Sequence, residues 1–467
     1  MNGRRILLAL AIALFMQNLD ATALATCLPA MARDLNTSPT SLNLAITCYL
    51  MALATIIPLS GWIADRYGAA RVFRSAILIF LIGSLCCASS SSLASLAIGR
   101  VVQGAGAGLM TPVARILVVR QVEKKDLVAA FSWLAIPSLV GPMIGPPLGG
   151  LMSSALSWNW IFLINLPMGL LGLVASFGSI ALARVHEPRP LDVSSAVLAS
   201  SAICGISFGL SSPGTTAGLI PSRTLFVITL LGMTSLALYL LRSRIVRHQV
   251  IDIELLSVGS FRAALMGGFF FRLGMGAWPF LLSLLTQIGL RQSSFHSGIL
   301  VSSTTLGALL ARPFATRTIG YLGFRSVLMV TAILGPASIA LCAQADVRLE
   351  VIAILLFAGG VLISLHLAAL GPITYLDIPE EKVSDATTLV AVGQQLSLAA
   401  GVSLAAFLVN LRLPTLDGVR VRPDDFTLVF LFIGAMSAIS SLFYSKLSHR
   451  DQVQFQMAID EGHEDRK

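Results

Sequence analysis

The sequence predicts an all-α polytopic membrane protein, and three observations carry that prediction. Hydrophobic residues make up 55% of the 467 and charged residues only 12%, against the roughly 25% charge that covers a soluble domain. Uncharged or nearly uncharged runs recur along the whole chain, and about 20 such residues cross the ~30 Å hydrocarbon core as a helix. The Lys and Arg residues gather in the short connectors between those runs. The net charge of +9 therefore fits membrane topology and a lipid partner rather than nucleic acid.

The first run, 6–28, ends at Pro29 and contains Asp20. A carboxylate inside a span costs roughly 2.5–3.5 kcal/mol on insertion scales, so an acid there is a functional-site candidate. No other Asp or Glu lies well inside an apolar run. Arg4 and Arg5 before the run and Ala23-Leu24-Ala25 within it mimic a cleaved secretory signal. Against that, the run exceeds a usual signal core, and cleavage would discard the buried acid.

Runs at 42–63, 74–92, 95–117, 127–153 and 159–182 complete a first set of six. The stretch 127–183 carries no charge; Ser153-Ser154 and Ser157-Trp158-Asn159, polar and aromatic residues suited to an interface, divide it. Two more runs follow at 192–212 and 222–241. The last six are 262–285, 295–316, 326–344, 350–374, 385–410 and 426–446. Fourteen spans result, arranged as an N-terminal half (1–184), two additional helices with their linkers (185–248), a C-terminal half (249–447) and a tail (448–467). Two six-helix halves imply a pseudo-symmetric transporter with its site near the midplane.

With the N-terminus inside, 23 of the 32 basic residues fall in cytoplasmic segments and 7 in outer loops. That count includes basic residues at the cytoplasmic ends of runs, and the other two, Arg100 and Arg272, lie deeper within spans. The positive-inside rule then expects both termini in the cytoplasm. One loop dissents, with Asp377, Glu380, Glu381 and Asp385 against Lys382, but acids count little in that rule. The six cysteines show no metal-ligand or redox spacing, and nothing in the sequence calls for a metal or a cofactor.

Four stretches carry candidate chemistry. In span five, Gly141, Gly145 and Gly149 repeat at one per turn on one helix face, with Gly150 beside them. Pro142, Pro146 and Pro147 remove backbone donors among them. Such density reads as a seam or hinge between moving elements, a plain structural kink being the alternative. In span four, Arg100 lies about 7–8 Å below the outer end and, in span one, Asp20 about 12 Å deep, at 1.5 Å per residue. A contact between them is feasible, directly or through Gln103 or water. Burial favours the protonated acid and a nearby arginine the carboxylate. An acid pulled both ways can titrate when geometry changes, as a proton carrier must; a static pair fixing helix register is the alternative.

Gly61, Asp65, Arg66 and Gly68 form a tight turn between spans two and three, either a gating loop or a solvated connector. In the C-terminal half Arg272, Trp278, Gln287, His366, Gln394 and Gln395 are candidates to line a substrate cavity, with plain packing as the alternative.

Together these stretches resemble the Major Facilitator Superfamily in its fourteen-span drug:proton antiporter branch. Leu19-Asp20-Ala21-Thr22 through Leu28-Pro29 is similar to that branch's span-one motif. Residues 61–71 resemble the superfamily's loop motif, 100–108 its span-four motif, 141–150 its antiporter motif, and 158–169 the branch's span-six entry. The resemblance implies a major facilitator fold of two six-helix halves plus two extra helices. It implies proton-coupled export of small amphipathic or drug-like compounds across a bacterial inner membrane by a monomer. Asp20 would then answer to protons with Arg100 as its partner, Asp65 and Arg66 would gate the cytoplasmic side, and 141–150 would be the hinge. An uptake or facilitated-diffusion carrier of the same fold is the alternative. No enzyme is expected, since no HExxH and no nucleophile–base pair lies within the spans. The chain departs from the pattern at Ala25, where an asparagine is usual, and at Ala69 and Ala70, where bases are usual. No carboxylate lies in the spans of the C-terminal half, so dicationic substrates are not expected.

Overall fold

The computed structural model describes residues 2–37, 41–123, 126–180, 191–215, 222–243, 252–292, 294–344, 348–412 and 423–447, and every regular element among them is helical. The domain boundaries expected at 184/185, 248/249 and 447/448, and the tail 448–467, lie outside the described residues. The helices are α1 (Asn2–Asp34), α2 (Asn43–Ile56), α3 (Ser60–Tyr67), α4 (Ala69–Ala88), α5 (Leu93–Gln121), α6 (Leu127–Ala155), α7 (Trp160–Leu163) and α8 (Asn165–Ser179). They continue as α9 (Val193–Thr215), α10 (Ser222–Arg242), α11 (Gly259–Leu284), α12 (Ser294–Ala340), α13 (Leu349–Tyr375), α14 (Val383–Arg412), α15 (Asp424–Ala438) and α16 (Ser440–Tyr444). Twelve helical segments among the described residues are long and apolar enough to cross a membrane, by length and composition.

Local chemistry sets the helix ends. Ser92 caps α5 in a reciprocal box with Ser95, each side chain bonding the other's backbone N–H, which satisfies donors the first turn leaves open. At the start of α9, Asp192 accepts from Ser194 N at 3.2 Å and Ser195 Oγ at 2.6 Å. The same carboxylate takes Arg242 Nε and Nη2, both at 3.0 Å, from the last turn of α10, so one side-on fork ties the ends of this hairpin. Between α2 and α3, Ile57–Leu59 form a single 3₁₀ turn whose second residue is Pro58, which has no donor to place.

The connector expected at 317–325 is different in kind. The chain remains helical from Ser294 through Ala340, broken only where Gly323 takes φ 76°, ψ 157°. Arg317 and Arg325 mark the end of an apolar run without ending the helix, because a helix can carry charge wherever its surface meets water. Gly68, between α3 and α4, is the other glycine with positive φ among the described residues, at φ 87°. Residues 61–71 and 317–325, which sit at corresponding places in the two sets of six spans, thus share a backbone feature: at each, one helix turns into the next on a left-handed glycine.

Packing divides the chain into two compact units. The first comprises 1–122, 133–253 and 379–392; the second 123–132, 254–378 and 393–467. One apolar core of the first unit gathers Leu24, Cys27 and Met31 of α1 against Leu42, Cys87, Leu96 and Phe162. In the second, Trp278, Leu281 and Phe271 of α11 pack with Leu356, Phe426 and Phe430.

A Cβ at Gly323 would meet the steric penalty of a left-handed residue, roughly 1–2 kcal/mol. Gly320, one turn earlier, is helical and has open space around it. Thermal unfolding in detergent is therefore expected to show a lower midpoint for Gly323→Val and an equal or higher one for Gly320→Ala, since alanine favours the helix.

Candidate functional site

Asp20 is the place where four helices of the first unit meet through polar groups. Its Oδ2 accepts from Arg100 Nη1 at 2.6 Å, and its Oδ1 accepts from Gln103 Nε2 and Asn165 Nδ2, both at 2.8 Å. Ser84 Oγ accepts from the same two amides at 2.8 and 3.1 Å. These residues come from α1, α4, α5 and α8, and none is more than 1% exposed. The expected Asp20–Arg100 contact is thus direct, with Gln103 bridging alongside it rather than between.

Arg100 has partners beyond the carboxylate. Nη1 also donates to Gln103 Oε1 at 2.7 Å and Nε to the Ala45 carbonyl at 3.4 Å. Its guanidinium lies over the Tyr49 ring, 4.2 Å from the centroid. The cluster carries one negative and one positive charge and is neutral as a whole. Deleting either partner would strand a buried charge, a loss of about 3–5 kcal/mol.

The opposite face of the same turn of α1 meets the glycines of α6. Residues 18 and 22 lie one turn apart and about 160–200° around the helix from residue 20. A Cβ at Gly141 would fall 2.6 Å from Asn18 Cβ, and one at Gly145 would collide with Thr22 Oγ1. Thr22 Oγ1 donates to the Gly141 carbonyl at 3.3 Å, and Cys27 Sγ to that of Gly149 at 3.0 Å. Gly150 is off this seam, with nothing near its Cβ direction. The backbone stays helical through Pro142, Pro146 and Pro147; the side chains of Pro142 and Pro146 lie outside the described residues.

The loop candidates are held elsewhere in the first unit. Asp65 Oδ1 accepts from Arg120 Nη2 at 2.9 Å and from Ser384 Oγ at 2.6 Å. Gly61 N donates to Thr388 Oγ1 at 3.1 Å. Arg66 is exposed and lies over the rings of Trp62 and Tyr67, 5.5 and 5.9 Å from their centroids. Asp65 therefore pairs with Arg120, not with its neighbour in sequence, since adjacent helix residues point about 100° apart. Gly68 supplies the left-handed turn that starts α4.

In the second unit the six cavity candidates divide. Arg272, Gln394 and Gln395 are half-buried, and Gln287 is exposed in a π-helical turn at Leu285–Gly289. Trp278 and His366 are buried in the packing of this unit. The indole packs on Phe430, 5.7 Å between centroids, and is 5% exposed. The imidazole stacks on Phe271, and its two nitrogens meet Thr331 Oγ1 at 2.9 Å and Tyr444 Oη at 3.0 Å. Both side chains are committed to packing.

Comparison with known proteins places this arrangement. The family model described as the Major Facilitator Superfamily matches residues 10–289. The chain is 34% identical over 414 residues to the protein named "Putative multidrug resistance protein MdtD" of Enterobacter sp. (strain 638), covering 88% of this chain and 87% of that one. It is 34% identical over 401 residues to the protein of the same name in Escherichia coli (strain K12 / DH10B), covering 85% and 84%. A crystal structure of the human organic anion transporter MFSD10 (TETRAN) superposes with a TM-score of 0.67 at 15% identity, covering 93% of this chain and 99% of that one, which is a likeness of fold.

The seam on α1 gives a direct test. Gly145→Leu is expected to abolish the folded, monodisperse protein in size-exclusion chromatography, whereas Gly150→Leu, with space to fill, is expected to elute as the wild type does.

Proposed function

Because the chain belongs to the Major Facilitator Superfamily, we propose that it is a proton-coupled exporter, moving small amphipathic or drug-like compounds out across a bacterial inner membrane in exchange for protons. A membrane transporter follows from the family; export, proton coupling and substrate are this reading's own. The observation that carries it is the Asp20 cluster, a carboxylate inside a span paired with Arg100 and held by two amides. Protonation removes the charge that holds Arg100 and turns an acceptor oxygen into a donor. Arg100 keeps the Gln103 oxygen, the Ala45 carbonyl and the Tyr49 face when that happens. An acid whose partners differ between two arrangements has a different proton affinity in each, and this difference is the coupling.

The remaining candidates take their places around it. Gly141, Gly145 and Gly149 form the hinge face on which α1 turns, with Gly150 and the prolines 142 and 146 in the same segment. Asp65, Arg120 and Ser384, with Gly61 on Thr388, form the cytoplasmic latch. Arg272, Gln287, Gln394 and Gln395 remain for the substrate path. Two features support fourteen crossings: α12 divides at Gly323, and α6 is 29 residues long with no charged residue. The charge distribution puts both termini in the cytoplasm. The names of the relatives, which speak of multidrug resistance, support a drug-like cargo. The driving force suffices: each charge crossing 100 mV yields about 2.3 kcal/mol, and each pH unit about 1.4 kcal/mol.

Growth inhibition in a strain carrying this chain tests the reading. Protection against an amphipathic toxicant is expected with the wild type and is expected to vanish with Asp20→Asn; equal protection by both removes Asp20 from the mechanism. Direction is read separately. Export predicts that energised inverted vesicles accumulate the compound, whereas an uptake carrier of the same fold would fill intact cells instead.

A further inference from the structure

The second unit holds a buried cation that the export cycle above does not use. Arg312 lies on α12 and is 8% exposed. Its Nη1 donates to the backbone carbonyl of Ser132, near the start of α6. Its Nε and Nη2 are buried and have no hydrogen-bond partner among the described residues. Ser132 Oγ, on the residue whose carbonyl Arg312 holds, is buried and equally unpartnered. The acids described in this unit all sit at helix ends or in connectors, so no span supplies the guanidinium with a carboxylate.

The unspent edge is the informative one. Nε and Nη2 form the side-on fork of a guanidinium, two parallel N–H groups matched to two oxygens. The same chain shows that fork closed at Asp192, gripped by Arg242 Nε and Nη2 at 3.0 Å each. At Arg312 the fork is buried and open, which is unfavourable unless an anion answers it. Phe131, beside Ser132 in sequence, stacks on Tyr375 with ring centroids 5.8 Å apart, and both rings are buried, so the surroundings of this part of α6 are apolar.

We propose that Arg312 is a binding site for the anionic end of an organic molecule, taking a carboxylate, sulfonate or phosphate side-on through Nε and Nη2 with Ser132 Oγ as a further donor. This narrows the cargo of the proposed exporter to organic anions and rests on that reading only for the molecule's being cargo. The site itself is a binding property, independent of direction and of protons.

Calorimetric titration of the full chain in dodecyl maltoside tests it, with 2-naphthoate and 2-naphthamide as probes that share an apolar body and differ in charge. The wild type is expected to bind the naphthoate at least about tenfold more tightly, the scale of one hydrogen bond to a charged group. Arg312→Gln is expected to erase that preference, and Arg312→Lys, which keeps the charge and loses the fork, to retain only part of it. No preference in the wild type, or an undiminished one in Arg312→Gln, overturns the site. Nanodiscs separate two sources of the anion: competition by added phosphatidylglycerol assigns the fork to a lipid headgroup, and its absence to a soluble anion. Since Arg312→Gln removes an unpartnered charge, its thermal midpoint in anion-free buffer is expected to be no lower than the wild type's; a lower one contradicts the open fork. Asp20→Asn is expected to lose export and keep the naphthoate preference, so failure of the exporter reading and failure of this site leave different patterns.

Discussion

A carboxylate can stay in a bilayer-crossing helix only if its charge and its lone pairs are both answered, and the first unit is arranged around that demand at Asp20. The guanidinium of Arg100 answers the charge at 2.6 Å. The amides of Gln103 and Asn165 answer the other oxygen, and Ser84 takes the remaining hydrogens of those amides. Each member holds another in place, so the cluster fixes the relative positions of α1, α4, α5 and α8 as well as satisfying a charge. Apolar residues of the same volume would be as stable there or more so. Stability alone therefore does not account for a polar network here, and the proposed proton coupling supplies a use for it.

α1 transmits such a change because its two faces are engaged at the same turn. Asp20 points into the polar cluster, while residues 18 and 22 lie against Gly141 and Gly145. At those glycines the Asn18 and Thr22 side chains of α1 lie directly against the backbone of α6, so the two helices move together or clash. Packed interfaces of this kind have discrete arrangements rather than a continuum, which is how a small local change becomes a larger shift. The Asp65–Arg120–Ser384 triad has the same logic in a shallower setting, an acid shared between an arginine and a hydroxyl.

The fold was legible because water and hydrocarbon impose lengths. Runs free of charge marked nearly every helix to within a few residues, and the depths of Asp20 and Arg100 along their helices matched well enough to anticipate their contact. Arg317 and Arg325 bracketed the break between the two parts of α12, which falls at Gly323, although both arginines stay helical because charge marks where a helix reaches water. The Asp65–Arg120 pair could not be read from the chain, since its members lie on α3 and α5, 55 residues apart in sequence. Ser84 and Asn165 left little trace because neutral polar residues are ordinary in spans, although Asn165 is the single amide of its apolar run from 160 to 179. His366 finds hydrogen-bond partners in the packed interior and Trp278 an aromatic neighbour, and nothing local in the sequence separates such residues from cavity-lining ones.

The central claim is that Asp20 gains and loses a proton inside the membrane. Infrared difference spectroscopy of the reconstituted protein across a pH titration reads that event through the carboxylic-acid stretch. The account predicts a protonated-carboxyl band in the wild type that is missing from Asp20→Asn. Superimposable difference spectra for the two proteins would contradict it.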